Sequence, residues 1–310
     1  MKIAVLDDYQ EVALQLADWG RLKSEVVVFN EPLTNVVEQL ADFEIIVAMR
    51  ERTKFDAETI FGLPKLKLIV TTGARNAAID LAAAEERGIT VSGTRSVEGA
   101  TVELTWGLIL SAARRLDVEF SNFRSGKWQT TVGLGLQGKT LGLLGIGRQG
   151  SGVAQVARAF GMEVLAFSRN LNDASAEGFG VKAVNFNDLL AKSDFLSIHI
   201  PLNPETEGMI SRHELAQMKQ TAWLINTSRG PIVEEVALVE ALWAGIIAGY
   251  ATDVYADEPL PAAHPFRSME NIVGTPHLGY VTLEMYTRWY EDAVDDIECF
   301  FKGKPQRLVN

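Results

Sequence analysis

The sequence has one cysteine, Cys299, among 310 residues, so neither an internal disulfide nor a thiolate metal cluster can form, and a reducing, cytoplasmic setting is expected. Basic charge is also short. Lys and Arg number 29 against 40 Asp and Glu, a net charge of −11, and with no local basic stripe such a surface repels nucleic acid and anionic lipid. Long apolar runs are missing as well. The most apolar stretch, residues 104–113, stops at Arg114 and Arg115, well short of the roughly 18 residues a membrane span needs. Asp7 and Asp8 fall where a signal peptide requires apolar side chains. With 10 prolines, 26 glycines, 47% hydrophobic and 22% charged residues, the composition is that of a globular protein and excludes a disordered or fibrous one. No fixed-period repeat or low-complexity tract is present. The length suits two domains of roughly 100 to 200 residues, each with its own core.

What is present is a recurrence of short apolar runs, at residues 3–6, 26–29, 45–48, 68–70, 141–144, 164–167, 195–200 and 223–225, separated by segments of helical spacing such as Val153, Val156, Ala157 and Phe160. Strands alternating with helices predict parallel sheets covered on both faces, whose ligands gather at the carboxyl ends of the strands. Residues 97–124 read as one long helix, apolar nearly all round, suited to burial between two domains. A glycine-rich loop, residues 127–138, follows it, and the first boundary is expected near Thr94. Near the end, Met285, Trp289, Ala293, Ile297 and Phe300 recur every three or four residues. They mark a helix with one apolar face that must pack on something.

After the run at 141–144 comes Gly145-Ile146-Gly147-Arg148-Gln149-Gly150, then a helical pattern. This is G-x-G-x-x-G in its proper context. The glycines allow a tight turn, close approach of backbone to a pyrophosphate and close helix packing, while the helix start supplies N–H donors. Gly145, Gly147, Arg148, Gln149 and Gly150 are therefore expected to hold a dinucleotide. The next strand ends in Ser168-Arg169-Asn170, without the carboxylate that accepts the ribose hydroxyls of NAD. Ser168 can donate to a 2′-phosphate and Arg169 can pair with it, so NADP is favoured and NAD stays possible. Three further strand ends carry Asn226-Thr227-Ser228-Arg229-Gly230-Pro231, Asp253-Val254-Tyr255-Ala256-Asp257-Glu258-Pro259 and Thr275-Pro276-His277-Leu278-Gly279.

Taken together, these segments resemble the D-isomer-specific 2-hydroxyacid dehydrogenases. The likeness extends to Arg50-Glu51-Arg52-Thr53, Thr71-Thr72-Gly73-Ala74-Arg75-Asn76, Val102-Glu103 and His199-Ile200-Pro201-Leu202 through Thr206. It implies an α/β fold of two doubly wound parallel-sheet domains. A Rossmann nucleotide domain, residues 95–281, would be inserted into a flavodoxin-like substrate domain of residues 1–94 plus 282–310, with a hinge at crossings near Thr94 and Val281. The implied reaction moves a hydride between a nicotinamide cofactor and a 2-oxo acid or D-2-hydroxy acid, without a metal. On this resemblance His277 is the acid that protonates the ketone oxygen and the base in the reverse direction. Glu258 holds its other ring nitrogen, and Arg229 binds the substrate's carboxylate and carbonyl oxygen. Backbone N–H groups around Gly73, Ala74 and Arg75 complete the carboxylate site. Asp253, Thr227 and Gly279 would meet the nicotinamide half, and Pro201 and Thr206 the rest of the cofactor pocket. The family and the long helix both suggest a homodimer.

Arg50, Arg52 and Arg75 bear on the choice of acid. If one of them faces the substrate, a second anionic or strongly polar group on it follows; if all face solvent, none does. Tyr280 could narrow the pocket. His213 and His264 read as structural, and His199 as a strand-end packing residue. The formate dehydrogenase branch of the fold carries an amide where this chain has Glu258. A different class of function, a dinucleotide-sensing corepressor or scaffold with little catalysis, keeps the same motifs and is separated from an enzyme by its turnover of 2-oxo acids.

Overall fold

The computed structural model describes residues 1–310, which divide into two compact units, residues 1–98 with 281–310, and residues 99–280. In the first unit β1 (Lys2–Val5), β2 (Glu25–Val28), β3 (Ile45–Ala48), β4 (Leu68–Thr71) and β5 (Thr90–Gly93) alternate with α1 (Ala13–Leu16), α2 (Val36–Leu40), α3 (Ala57–Gly62) and α4 (Leu81–Glu86). The second unit opens with α5 (Ala100–Arg114) and α6 (Leu116–Arg124). It continues through β6 (Thr140–Leu144), α7 (Arg148–Ala159), β7 (Glu163–Phe167), α8 (Asp173–Phe179), β8 (Lys182–Ala183), α9 (Phe186–Lys192), β9 (Phe195–Ile198), α10 (Arg212–Gln217), β10 (Trp223–Asn226), α11 (Glu235–Trp243), β11 (Gly249–Thr252) and β12 (Ile272–Gly274). The last helix, α12 (Leu283–Phe301), belongs to the first unit.

Both sheets are wholly parallel. The first has the order β2-β1-β3-β4-β5, that of a flavodoxin-like doubly wound sheet. The second runs β12-β11-β10-β9-β6-β7-β8. Counted from its own first strand, this is the 3-2-1-4-5-6 order of the Rossmann fold with one strand added beyond the sixth. The central strands are apolar because both faces are covered: Ile45, Ile46, Val47 and Ala48 are all buried. In the second sheet Leu144, Leu196, Ile198 and Leu224 pack on one side with Leu238 and Leu242. Leu141, Leu143, Phe195 and Ile225 pack on the other with Trp106, Ile109, Val153 and Ala157. Helix starts are fixed by side-chain caps from Asn35, Asp56, Asp80, Asn172, Asn185, Ser211 and Thr282, each worth about 1 kcal/mol.

The apolar face of α12 finds its partner in the first unit. Its residues Met285, Tyr286, Trp289, Tyr290, Ala293, Val294 and Ile297 are buried, and the helix packs against α1 and β4. The single helix expected over residues 97–124 is corrected to two. The chain breaks at Arg115, which takes a left-handed conformation (φ 52°). There the N–H of Leu134 takes the carbonyl of Ala113 at 2.6 Å, and the Arg115 guanidinium donates to the Glu270 carbonyl at 2.9 Å. These contacts offset the roughly 1–2 kcal/mol that a left-handed non-glycine residue costs. α5 packs on β10, β11, β12 and α7 of its own unit, whereas no residue of α6 is fully buried. No helix is long and apolar enough to cross a membrane.

Candidate active site

The glycine motif sits where the second sheet reverses its order, between β6 and β9. Gly145 has φ +99°, and a Cβ on it would lie 2.7 Å from the His199 carbonyl oxygen at the end of β9. A Cβ on Gly150 would run into the Gly145 carbonyl, which lets α7 start hard against the strand, whereas a Cβ on Gly147 would meet nothing within 4 Å. Two glycines thus serve the chain's own packing and the third faces open space. α7 begins at this point, with no acidic residue in its first turn, and Arg148 and Gln149 are exposed on it. Unspent helix N–H groups, a positive dipole end and a bare backbone fit the pyrophosphate of a dinucleotide.

At the end of β7, Ser168 is half-buried and Arg169 exposed. The Arg169 guanidinium is engaged by Glu205 in a pair open to solvent on both sides. Thr206 is buried and ties its own loop: its hydroxyl donates to the Pro201 carbonyl at 2.7 Å and accepts from the Asn203 N–H at 2.9 Å. The hydroxyls of Thr227 and Thr105 share a hydrogen bond of 2.8 Å. His199 bonds Ser197 through Nε2 at 2.9 Å, and burial pushes its imidazole down to about 4, so it is neutral at physiological pH. His213 is exposed on α10, and His264 bonds Glu235 at 2.9 Å.

Arg229, Glu258 and His277 follow β10, β11 and β12, three adjacent strands. Glu258 and His277 are in contact, carboxylate Oε2 to ring Nδ1 at 2.5 Å, with side chains about one-third and one-quarter exposed. The other carboxylate oxygen accepts the Tyr255 N–H at 2.9 Å. With Nδ1 held, Nε2 is the nitrogen left for proton exchange. His277 itself is left-handed (φ 55°). Asp253 holds it there, accepting from the Thr275 hydroxyl at 2.7 Å, the Leu278 N–H at 2.6 Å and the Gly279 N–H at 2.7 Å. Burial raises the Asp253 carboxyl above its ordinary value, and these donors work against that rise. The Arg229 loop is closed by Asn226, whose side chain donates to the Arg229 carbonyl at 3.0 Å and accepts the Ser228 N–H at 3.0 Å. Ser228 in turn donates to the Ile200 carbonyl at 2.5 Å, and one Arg229 N–H goes to the Ser228 carbonyl at 2.8 Å.

In the first unit Arg50 is also left-handed (φ 50°). Its guanidinium donates to the Thr72 carbonyl at 3.2 Å and occupies the place where a side chain on Gly73 would stand. The Gly73 N–H is spent on the Thr94 hydroxyl at 2.7 Å, so the amides that follow, of Ala74 and Arg75, are the donors left for a ligand. Both residues are exposed. Arg52 is committed within the unit, donating to the Asp7 carbonyl at 2.8 Å and lying 4.4 Å from the Tyr9 ring centre. Tyr255, Asn226 and Thr275 lie in the same strand-end segments and carry no mark of a site role in the sequence. Their roles depend on pairings between strand ends that no spacing along the chain announces.

The profile of the D-isomer specific 2-hydroxyacid dehydrogenase, NAD binding domain, matches residues 106–279. A glyoxylate reductase of Aeropyrum pernix is 40% identical over 269 residues, covering 83% of this chain and 80% of the relative. A D-3-phosphoglycerate dehydrogenase of Methanocaldococcus jannaschii is 36% identical over 316 residues, all of this chain but 59% of that one. Among solved structures, a phosphoglycerate oxidoreductase from Vibrio cholerae superposes with a TM-score of 0.91 at 35% identity, covering 98% of this chain and 99% of the other.

Proposed function

Because the chain belongs to the D-isomer specific 2-hydroxyacid dehydrogenase family, we propose that His277, Glu258 and Arg229 are its catalytic residues, acting on a 2-oxo acid beside a dinucleotide held on the Gly145–Gly150 loop. The Glu258–His277 contact of 2.5 Å carries this reading. When bound, the reduced nicotinamide supplies the hydride. His277 gives a proton from Nε2 to the ketone oxygen as that oxygen gains electron density, and takes it back in the reverse direction; imidazole suits both because it ordinarily titrates near physiological pH. Glu258 fixes the ring's orientation through Nδ1 and supports the imidazolium. Arg229 pairs with the substrate carboxylate and with the carbonyl oxygen, favouring the charge that develops there. Asp253, which anchors the His277 turn, would with Thr227 and Gly279 hold the nicotinamide half of the dinucleotide.

In the first unit, the amides of Ala74 and Arg75 with the Arg50 guanidinium are proposed to bind substrate anions. Glyoxylate and hydroxypyruvate are the first acids to try. NADPH is favoured over NADH because β7 ends without a carboxylate and with Ser168 and Arg169. A 2′-phosphate must then displace Glu205 from Arg169, at a cost of about 1 kcal/mol or less for so exposed a pair. A homodimer is proposed on α6 and the segment after it, where Phe123 is 69%, Trp128 76% and Val132 98% exposed. A cytoplasmic location rests on the lone, half-buried Cys299.

The test is the initial rate of NADPH and NADH oxidation with glyoxylate, hydroxypyruvate, pyruvate, phenylpyruvate and phosphohydroxypyruvate, repeated with His277→Ala. The variant should lose on the order of 10²- to 10⁴-fold in turnover and keep its dinucleotide affinity. Near-normal turnover would remove His277 from the mechanism.

A further inference from the structure

We infer that Tyr255 is a positioning residue of the acid–base pair, joining the loops that carry Arg229, Glu258 and His277. The inference rests on the roles proposed above for those three. Residues 256–259, which include Glu258, are exposed as residues, so the loop brings no buried anchor of its own to place that carboxylate. Tyr255 is the last half-buried side chain before them and packs on the cluster containing Tyr250, Phe266 and Ile272.

Three contacts radiate from it. Its N–H donates to Glu258 Oε1 at 2.9 Å. Its phenol donates to the Thr275 carbonyl at 2.9 Å, two residues before His277. Its carbonyl carbon fills the space where a side chain on Gly230, the residue after Arg229, would lie. Since Glu258 Oε2 meets His277 Nδ1, the path Tyr255, Glu258, His277, Thr275 and back to Tyr255 is a closed ring. One edge of that ring is the acid–base contact itself. A phenylalanine would keep the packing and open the ring at Thr275. Burial, followed by the charge of Asp253, pushes the phenol's acidity down, so it stays a donor across the working range. Gly274 bears on the same contact: a Cβ there would lie 2.8 Å from the phenol oxygen, the movable end of a side chain.

The experiment compares Tyr255→Phe, Gly274→Ala and their combination with the unaltered enzyme and with His277→Ala, reading kcat, KM for the 2-oxo acid, dinucleotide Kd and Tm. Tyr255→Phe should lower kcat about three- to tenfold, the value of one hydrogen bond, with KM and Kd within about twofold. Gly274→Ala should give the same loss while keeping the hydroxyl. The double variant should be no worse than Tyr255→Phe alone, because both break one contact. If Tyr255→Phe leaves kcat unchanged, whether or not Tm falls, while His277→Ala is inactive, Tyr255 is structural and the inference fails alone. Full additivity of the two variants overturns it too. Normal turnover by His277→Ala overturns the proposed mechanism and the inference together.

Discussion

The two sheets have the same kind of reversal in strand order but treat the crevice there in opposite ways. In the second unit, the reversal between β6 and β9 is lined by backbone, with open space over Gly147. In the first, the reversal between β1 and β3 is filled by the chain itself. Asp7, 2% exposed, accepts from the Thr53 hydroxyl at 2.8 Å and the Tyr9 hydroxyl at 3.0 Å, and Arg52 lies over Tyr9. Topology supplies a crevice in both units. Side-chain volume then decides whether it receives a ligand or becomes part of the fold.

The largest test of this contrast is Gly147→Val. Its new side chain enters empty space, so Tm should hardly change while dinucleotide affinity, measured by fluorescence titration, falls at least about tenfold, or roughly 1.4 kcal/mol; unchanged affinity would mean that the crevice is not the dinucleotide's. Arg52→Ala should do the reverse. It removes a hydrogen bond and a cation–π contact beside a buried carboxylate, so denaturant melts should show a loss of about 1–3 kcal/mol, with dinucleotide affinity kept.

A third test uses pH. Asp296, 1% exposed between Arg307 and Asp292, is pushed up from 3.8 to about 7, mainly by burial, and Asp7 is raised by burial as well. Between about pH 4 and pH 7 the folded chain keeps a proton that the unfolded chain has released. The stabilisation from Asp296 is therefore complete below that window and lost as pH rises through it. Tm should fall by a few degrees across the window, and Asp296→Asn should flatten the decline. The smallest effect belongs to Glu205→Gln. Freeing Arg169 from an exposed pair should raise kcat/KM for NADPH by no more than about fivefold and leave NADH nearly unchanged; an equal gain with both would count against Arg169 as a 2′-phosphate contact.

The open crevice was legible in the sequence because glycine has few other reasons to recur as G-x-G-x-x-G between a strand and a helix. The filled one was not: Asp7 and Thr53 lie far apart along the chain and meet only once β1 and β3 pair. Eight of the twelve strands announce themselves as apolar runs, and β11 and β12 only through the polar residues after them, whereas β5, with Thr90, Ser92 and Gly93, and the two-residue edge strand β8 do neither. The break at Arg115 was hidden for a related reason. No glycine or proline marks it, and contacts from Leu134 and Glu270, distant in sequence, create it. Arg229, Glu258 and His277 stand out in the sequence as titratable residues after strands, and the family resemblance, not residue type, points to roles for them; Tyr255 reads as an ordinary aromatic residue, because its phenol reaches Thr275 only once the strand ends are side by side.

The return of α12 to the first unit has a consequence for biosynthesis. The buried aromatic side chains of α12, Tyr286, Trp289 and Tyr290, on the helix that packs on β4 and α1, reach the ribosome exit only after the whole second unit, roughly 180 residues and on the order of ten to forty seconds of translation later. Through that interval the apolar surface of β4 and α1 that α12 covers has no partner, while the second unit already has all its parts. The unit begun first is therefore the last that can be completed, and its folding waits on a helix made after its neighbour.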